Sequence, residues 1–221
     1  MNAPIDIERA RFNMIEQQIR PWNVLNTGVL ELLAVVKRED FVPPEHLSMA
    51  FVDTEIPLPG GQCMLAPKIE ARLLQELAVH KHERVLEIGA GSGHMAALLA
   101  HKAQHVTTLE IDPELAALAS ANLRRAGVMN VAVVTADGAK ALPVEGPFDV
   151  ILLSGSVAEV PDALLTQLKP GGRLAAIVGF EPVMRAVLIT RTADQGLVRK
   201  VLFDTVAARL RGFAEPTRFH F

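Results

Sequence analysis

A doubly wound, mainly parallel seven-stranded α/β sheet with a helical N-terminal lobe is the fold this sequence predicts, on three observations. Short apolar segments alternate with helix-length segments from 84 to 178, the pattern of strand–helix–strand units whose strands run parallel. The first of those segments, Val85 to Ile88, runs directly into Gly89-Ala90-Gly91-Ser92-Gly93, a turn from which side chains are excluded. Residues 1–80 lack the alternation: helical periodicities lead there into an apolar stretch rich in proline and glycine. The expected organisation is one structural domain, with a lobe over 1–80 packed on an α/β core over 81–221.

The chain has 221 residues, half of them hydrophobic, enough for one large domain with a sizeable core and little disorder. Its net charge of −3, with acids and bases interspersed, argues against a nucleic-acid partner held by a general basic surface. Cys63 is the one cysteine, so no intramolecular disulfide forms, which suits a reducing cytoplasm. Asp6 and Glu8 among few apolar residues do not make a signal peptide, and no apolar run approaches the roughly 20 residues of a bilayer span. A cytoplasmic monomer or weak homodimer without membrane contact is expected.

The elements follow in order. Ile7 to Arg20 has helical spacing, with Phe12, Ile15 and Ile19 on one face, and Pro21 ends it. Asn26 or Thr27 caps a second helix through Val36, whose apolar side is Val29, Leu30, Leu32, Leu33 and Val36. Phe41 and Val42 pack, Pro43 and Pro44 stiffen the exit, and a short helical stretch lies near Glu45 to Ala50. Phe51 to Pro67 is too apolar for a solvated loop and too rich in proline and glycine for a helix or long strand. An ordered loop of that kind lines a site. Pro67 starts a helix with Ile69, Leu73, Leu74 and Leu77 inward and Lys68, Glu70, Arg72 and Glu76 toward solvent. Met95 to Ala100 is helical. His105 to Glu110, Val131 to Thr135, Phe148 to Leu153 and Arg173 to Val178 continue the sheet. Pro161 to Leu168 is a helix broken by Lys169-Pro170-Gly171-Gly172. Ala186 to Thr190 and Val198 to Phe203 form a hairpin, turned at Asp194-Gln195-Gly196, that closes one sheet edge. Within 209–221, Phe219 and Phe221 suggest docking on an apolar surface.

The functional residues cluster on the carboxyl ends of the strands. The run from Glu87 to Gly93 reads acidic-x-G-x-G-x-G. A dinucleotide turn of the G-x-G-x-x-G type needs glycine where His94 stands. Free N–H groups at the start of the following helix face any ligand that approaches the turn. Glu110, about 20 residues beyond the turn, suits a carboxylate that accepts two hydrogen bonds from ribose hydroxyls. Asp137-Gly138 follows the third strand. His94, His101 and His105 resemble no metal set and read as surface histidines, and no metal site is expected. Cys63 has no adjacent lysine or arginine in sequence to lower its pKa and reads as a packed thiol.

The acidic-x-G-x-G-x-G run resembles the first motif of class I S-adenosylmethionine-dependent methyltransferases. From roughly Glu16 to Val178 the chain resembles the protein-L-isoaspartate O-methyltransferase family. The resemblance rests on Arg38-Glu39-Asp40-Phe41-Val42-Pro43, Ala50-Phe51-Val52-Asp53, Pro57-Leu58, Gly61-Gln62 and the glycine turn. Asp137-Gly138, Pro147-Phe148-Asp149 and Gln167 to Leu174 complete it. It implies S-adenosyl-L-methionine as cofactor, with S-adenosyl-L-homocysteine as product. The implied cofactor residues are Glu87, Gly89, Ala90, Gly91, Ser92, Gly93, Glu110, Ile111, Asp137, Gly138, Met64 and Leu65, with Asp137-Gly138 beside the adenine. It also implies peptide or protein substrates carrying isoaspartyl residues, met by Gly61, Gln62, Cys63, Leu65 and Ser154 beneath the N-terminal lobe.

Two departures fall beside the acceptor. The family reads Gly-Gln-Thr-Ile-Ser-x-Pro before the glycine turn and gives its serine an active-site role; here the run is Gly61-Gln62-Cys63-Met64-Leu65-Ala66-Pro67. Ser154-Gly155-Ser156 stands where small apolar residues are typical. An isoaspartyl carboxylate is already ionised at pH 7, so no general base is expected and no catalytic side chain is assigned. Three readings stay open: isoaspartyl methylation, methylation of another acceptor on the same fold, and cofactor binding without catalysis.

Overall fold

The computed structural model describes residues 6–140, 142–144 and 146–215; the expectation for Phe219 and Phe221 lies outside them. The chain opens with α1 (Ile7–Asn13), capped by the Asp6 carboxylate. It continues as a π-helix over Met14–Ile19, in which Arg20 N–H reaches back five residues to the Ile15 carbonyl. That wider turn rotates the apolar face. Met14, Ile15 and Ile19 are buried, whereas Phe12, expected on the same face, is 62% exposed. Then comes α2 (Thr27–Val35), capped by the Asn26 side chain, with Val29, Leu30, Leu32 and Leu33 inward. Short 3-10 turns over Arg38–Phe41 and Pro44–Met49 lead to a small hairpin. Its strands are β1 (Ile56–Leu58) and β2 (Gln62–Met64), which pair antiparallel. So the proline-rich loop is ordered by a pair of three-residue strands.

Next is α3 (Pro67–Leu77), with Ile69, Leu73, Leu74 and Leu77 buried. Glu70 and Arg72, expected toward solvent, are buried too. The lobe covers this helix on a second side, and each charge has a partner there. Arg72 donates to the Trp22 carbonyl, and Glu70 pairs with buried Arg38. The α/β core then runs β3 (Arg84–Ile88), α4 (His94–Lys102), β4 (His105–Glu110), α5 (Pro113–Arg125), β5 (Val131–Thr135) and β6 (Phe148–Val157). After these come α6 (Asp162–Leu165), β7 (Leu168–Phe180), β8 (Val183–Arg191) and β9 (Leu197–Thr205).

Seven strands form one sheet in the order β5-β4-β3-β6-β7-β8-β9. The first five are parallel, and β8 and β9 add antiparallel. A tight connection at 181–182 replaces a crossover helix between β7 and β8, which dictates the antiparallel pairing. The helix expected over Pro161 to Leu168 is reduced to one turn, because Leu168 already pairs with Phe148. Lys169 to Gly172, expected as a break, lies inside β7 as an irregularity: the register jumps from Phe148↔Leu168 to Val150↔Arg173.

Glu70 now tests the packing of the lobe. Burial pushes its carboxyl up, but Arg38 and then His94 outweigh burial and hold it below the usual range. Removing one partner of a buried ionic cluster costs about 3–5 kcal/mol. We expect Glu70→Ala to lower the melting temperature by roughly 6–20 °C in calorimetry. A change of the size a solvated glutamate gives, within about 0.5 kcal/mol, would contradict the buried placement.

Candidate active site

The site is built where parallel strands end and chain order reverses direction across the sheet, the usual crevice of such folds. Register brings three strand ends together: Ile88 on β3 stands beside Leu109 on β4 and Leu153 on β6. Each strand then delivers a polar group, Glu110 after Leu109 and Ser154 after Leu153, while β3 turns into the glycines. Gly89 has φ +94 and Gly93 φ +86. A Cβ on Gly93 would stand 3.1 Å from the Ala119 carbonyl of α5, so the turn packs flush on that helix. The Gly91 N–H donates to Glu110 Oε2 at 2.9 Å, and the Asp112 N–H to Glu110 Oε1 at 3.1 Å. Glu110 is thereby pinned across the turn, with a lone pair left on each oxygen.

A cleft of about 470 Å3 opens over these groups. Of the residues expected from sequence, Gln62, Cys63, Gly89, Gly91, Glu110, Ile111, Gly138 and Ser154 line it. A second cavity, about 280 Å3, lies on the lobe side and is lined by Cys63, Met64, Leu65, Glu70, Gly89, Ala90, Gly91, Ser92, His94, Met95 and Ser154. Cys63, Gly89, Gly91 and Ser154 border both. Leu65 therefore stands against the glycine turn, as the loop's composition suggested. Glu87, Gly93, Asp137 and Gly61 do not line either space. Asp137 caps its own turn by accepting from Ala139 N–H at 3.0 Å, and Gly61 is exposed.

Two features escaped sequence reading. The segment after β9 returns to the site: Ser156 N–H donates to the Ala208 carbonyl and Leu210 N–H to the Ser156 carbonyl. This seats Leu210 and Arg211 in the cleft wall, with Arg211 donating to the Gly60 carbonyl at 3.0 Å. No periodicity marks such a segment. The other is the Arg38–Glu70–His94 cluster. His94, expected at the surface, is 2% exposed because α4 begins against α3, and its Nδ1 lies 3.0 Å from Glu70 Oε2. Arg38 also donates to the Leu65 carbonyl at 2.8 Å, fixing the altered loop to the same charges.

Beneath the turn, Glu87 is fully buried. Thr108 Oγ1 donates to its Oε2 at 2.7 Å and Ser154 Oγ to its Oε1 at 2.6 Å. Burial outweighs both hydroxyls and, helped by Glu70 and Glu110, pushes the carboxyl up to about 7. Burial and then Glu55 push the Cys63 thiol up to about 12, so it is held protonated and is no nucleophile.

The chain is similar to known proteins in sequence and fold. The family model of protein-L-isoaspartate(D-aspartate) O-methyltransferase matches residues 9–208. The chain is 39% identical over 198 residues to the protein-L-isoaspartate O-methyltransferase of Koribacter versatilis, covering 90% of this chain and 88% of that one. It is 43% identical over 191 residues to protein-L-isoaspartate O-methyltransferase 2 of Marinobacter nauticus, covering 86% and 85%. A Plasmodium falciparum structure described as a protein-L-isoaspartate O-methyltransferase in complex with S-adenosyl-L-homocysteine superposes with a TM-score of 0.79. It covers 91% of this chain and 98% of that one at 20% identity, which shows the fold alone.

Glu87 also makes stability depend on pH. A folded-state pKa raised from 4.5 to about 7 gives stability that is fully present below pH 4.5 and lost as pH rises through 7. At about 1.4 kcal/mol per pH unit, the separation is worth about 3 kcal/mol. We expect Glu87→Gln to gain stability relative to the unsubstituted chain by up to that amount between pH 4.5 and 8. Parallel urea curves at every pH would refute a raised Glu87.

Proposed function

The chain belongs to the protein-L-isoaspartate(D-aspartate) O-methyltransferase family, and from that premise we propose that it methylates the free carboxylate of L-isoaspartyl residues in damaged proteins, using S-adenosyl-L-methionine. The observation that carries this reading is the pair of cavities meeting at Cys63, Gly89, Gly91 and Ser154. One side offers a carboxylate beside a glycine turn, suited to a ribose; the other lies under the loop of the N-terminal lobe.

The donor set of the cleft fits the cofactor. Glu110 keeps a lone pair on each oxygen for the two ribose hydroxyls, and its charge disfavours a 2′-phosphate. Ile111 and Gly138 wall the cleft beyond it, Gly138 lying so close on Ile88 that a Cβ would stand 2.5 Å from its side chain. Gly89, Ala90 and Gly91 present backbone, with Met64 and Leu65 opposite. When bound, S-adenosyl-L-methionine supplies a methyl group on a positively charged sulfur. Passing it to an acceptor carboxylate that is already ionised at neutral pH would leave a neutral thioether. No proton changes hands. The chain's task is therefore to hold the oxygen in line and exclude water, which the Cys63–Leu65 wall and Leu210 serve.

We assign residues 1–80 to the acceptor lobe and 81–221 to the cofactor core. Substrates are peptides or proteins rather than nucleic acid, consistent with the net charge of −3. Among the described residues no helix is long and apolar enough to cross a membrane. We infer a monomer or weak homodimer in a cytoplasmic setting, the latter according with the single cysteine.

Methyl transfer from labelled cofactor to an isoaspartyl peptide and to its aspartyl twin tests the reading. We expect label on the first peptide and background on the second. Absence of transfer to the isoaspartyl peptide, with S-adenosylhomocysteine still bound in calorimetry, would overturn the acceptor. For the cofactor half, Glu110→Ala removes two hydrogen bonds to a charged group and should weaken S-adenosylhomocysteine binding by roughly 2–4 kcal/mol. A loss of only a few tenths would remove Glu110 from the ribose site. Gly91→Val, placing a branched side chain 3.3 Å from Leu58, should abolish binding in a folded protein.

A further inference from the structure

We propose that Ser154 is the hydroxyl that binds the acceptor carboxylate in this enzyme, in place of the hydroxyl that Leu65 lacks. The inference rests on the isoaspartyl reading above. An ionised carboxylate accepts hydrogen bonds only, so its pocket must supply donors. Leu65 supplies none: its side chain is apolar and buried, and its carbonyl is occupied by Arg38. Met64 and Met95 beside it are apolar as well. Ser154 borders both cavities, at the junction that the transferred methyl must cross. Its neighbours Leu153 and Gly155 are buried while Ser154 itself is partly open.

The partner of Ser154 decides when its proton is available. With Glu87 ionised, the hydroxyl proton is held on Oε1 at 2.6 Å. With Glu87 protonated, the carboxyl donates to Ser154 Oγ and the serine proton turns toward the acceptor. Two carboxylates cannot share one hydroxyl proton well, so acceptor binding and protonation of Glu87 reinforce each other. The surroundings favour the protonated form. From β4, Thr108 bonds Glu87 and Glu110 repels its charge; from α3, Glu70 repels it as well. Arg38 and, from α4, His94 bond to Glu70, and among the described residues no cation bonds Glu87.

The test measures kcat/KM on an isoaspartyl peptide at saturating cofactor from pH 6 to 9. In the unsubstituted enzyme kcat/KM should fall above pH 7, chiefly through KM. Ser154→Ala should lose about 10- to 100-fold, the worth of one hydrogen bond to a charged group, and the fall above pH 7 should vanish. Ser154→Thr, which keeps a hydroxyl at the same position, should retain most of the activity. Leu65→Ser placed in the Ser154→Ala background should recover about tenfold, because it returns a hydroxyl to the pocket from the opposite wall. Glu87→Gln, whose amide donates permanently to Ser154 Oγ, should flatten the profile above pH 7 whatever its absolute rate, and it serves where Ser154→Ala does not fold. Three results would each overturn the inference: unchanged kinetics in Ser154→Ala, a loss that neither Ser154→Thr nor the second-site serine relieves, or a pH profile that survives in Ser154→Ala and Glu87→Gln. An unsubstituted enzyme that binds S-adenosylhomocysteine but ignores the peptide overturns the isoaspartyl reading and this inference with it. An active enzyme indifferent to Ser154→Ala overturns the inference alone.

Discussion

The buried polar cluster of Arg38, Glu70 and His94 is the constraint on which the rest of the structure depends. Each member comes from a different part of the chain: Arg38 from the turn after α2, Glu70 from α3, His94 from the first position of α4. All three are at most 3% exposed. Charges so deep must stay paired, so the lobe, α3 and the glycine turn can pack in one relative position only. The cluster carries the altered loop with it, since Arg38 also holds the Leu65 carbonyl. A polar network below the surface thus fixes the distance between the Cys63–Leu65 loop and the glycine turn.

The two halves of the site obey different physics. Around the glycine turn the backbone does the shaping. Positive-φ glycines let the turn lie flat on α5, and Glu110 ties the turn to the end of β4 through the Gly91 N–H. Under the lobe, the smaller cavity sets apolar Met64, Leu65 and Met95 beside polar groups from α3, the glycine turn, α4 and β6: Glu70, Ser92, His94 and Ser154. A reaction that displaces a neutral thioether with an already ionised oxygen asks for alignment and dryness rather than for an acid or base. A wall of packed apolar side chains answers that need. It also accounts for a family serine position being filled by leucine while the fold around it is retained.

The closing strands bear on the site as well. Because β7 and β8 are joined by a tight turn, the sheet finishes as an antiparallel meander with β9 at its edge, and the chain after β9 returns to β6, where Arg209 bridges Ser156. The segment after β9 bonds to Ser156 and lays Leu210 over Gly89 and Gly155. Leu210 and Arg211 then form a rim that the strand ends alone would leave open.

By itself the sequence determined the layers and the meeting of the glycine turn with Glu110 at the strand ends. Short apolar strands, caps such as Asn26 and prolines at helix starts are local signals. The glycine turn and Glu110 are separated by one strand–helix–strand unit, so their approach follows from the fold class. Tertiary structure alone decided what long-range charge pairing controls. Glu70 and Arg72 carry the pattern of a solvated helix face, and His94 that of a helix start; only a lobe folded over α3 makes them interior. Phe12 stands outward because a π-helical turn, invisible in residue spacing, shifts the face that follows it. Leu210 and Arg211 reach the cleft by pairing with Ser156, some fifty residues away in sequence. Glu87 was legible as the acid that opens the glycine motif. Its burial beneath Thr108 and Ser154 follows from the register of three strands, which no single segment encodes.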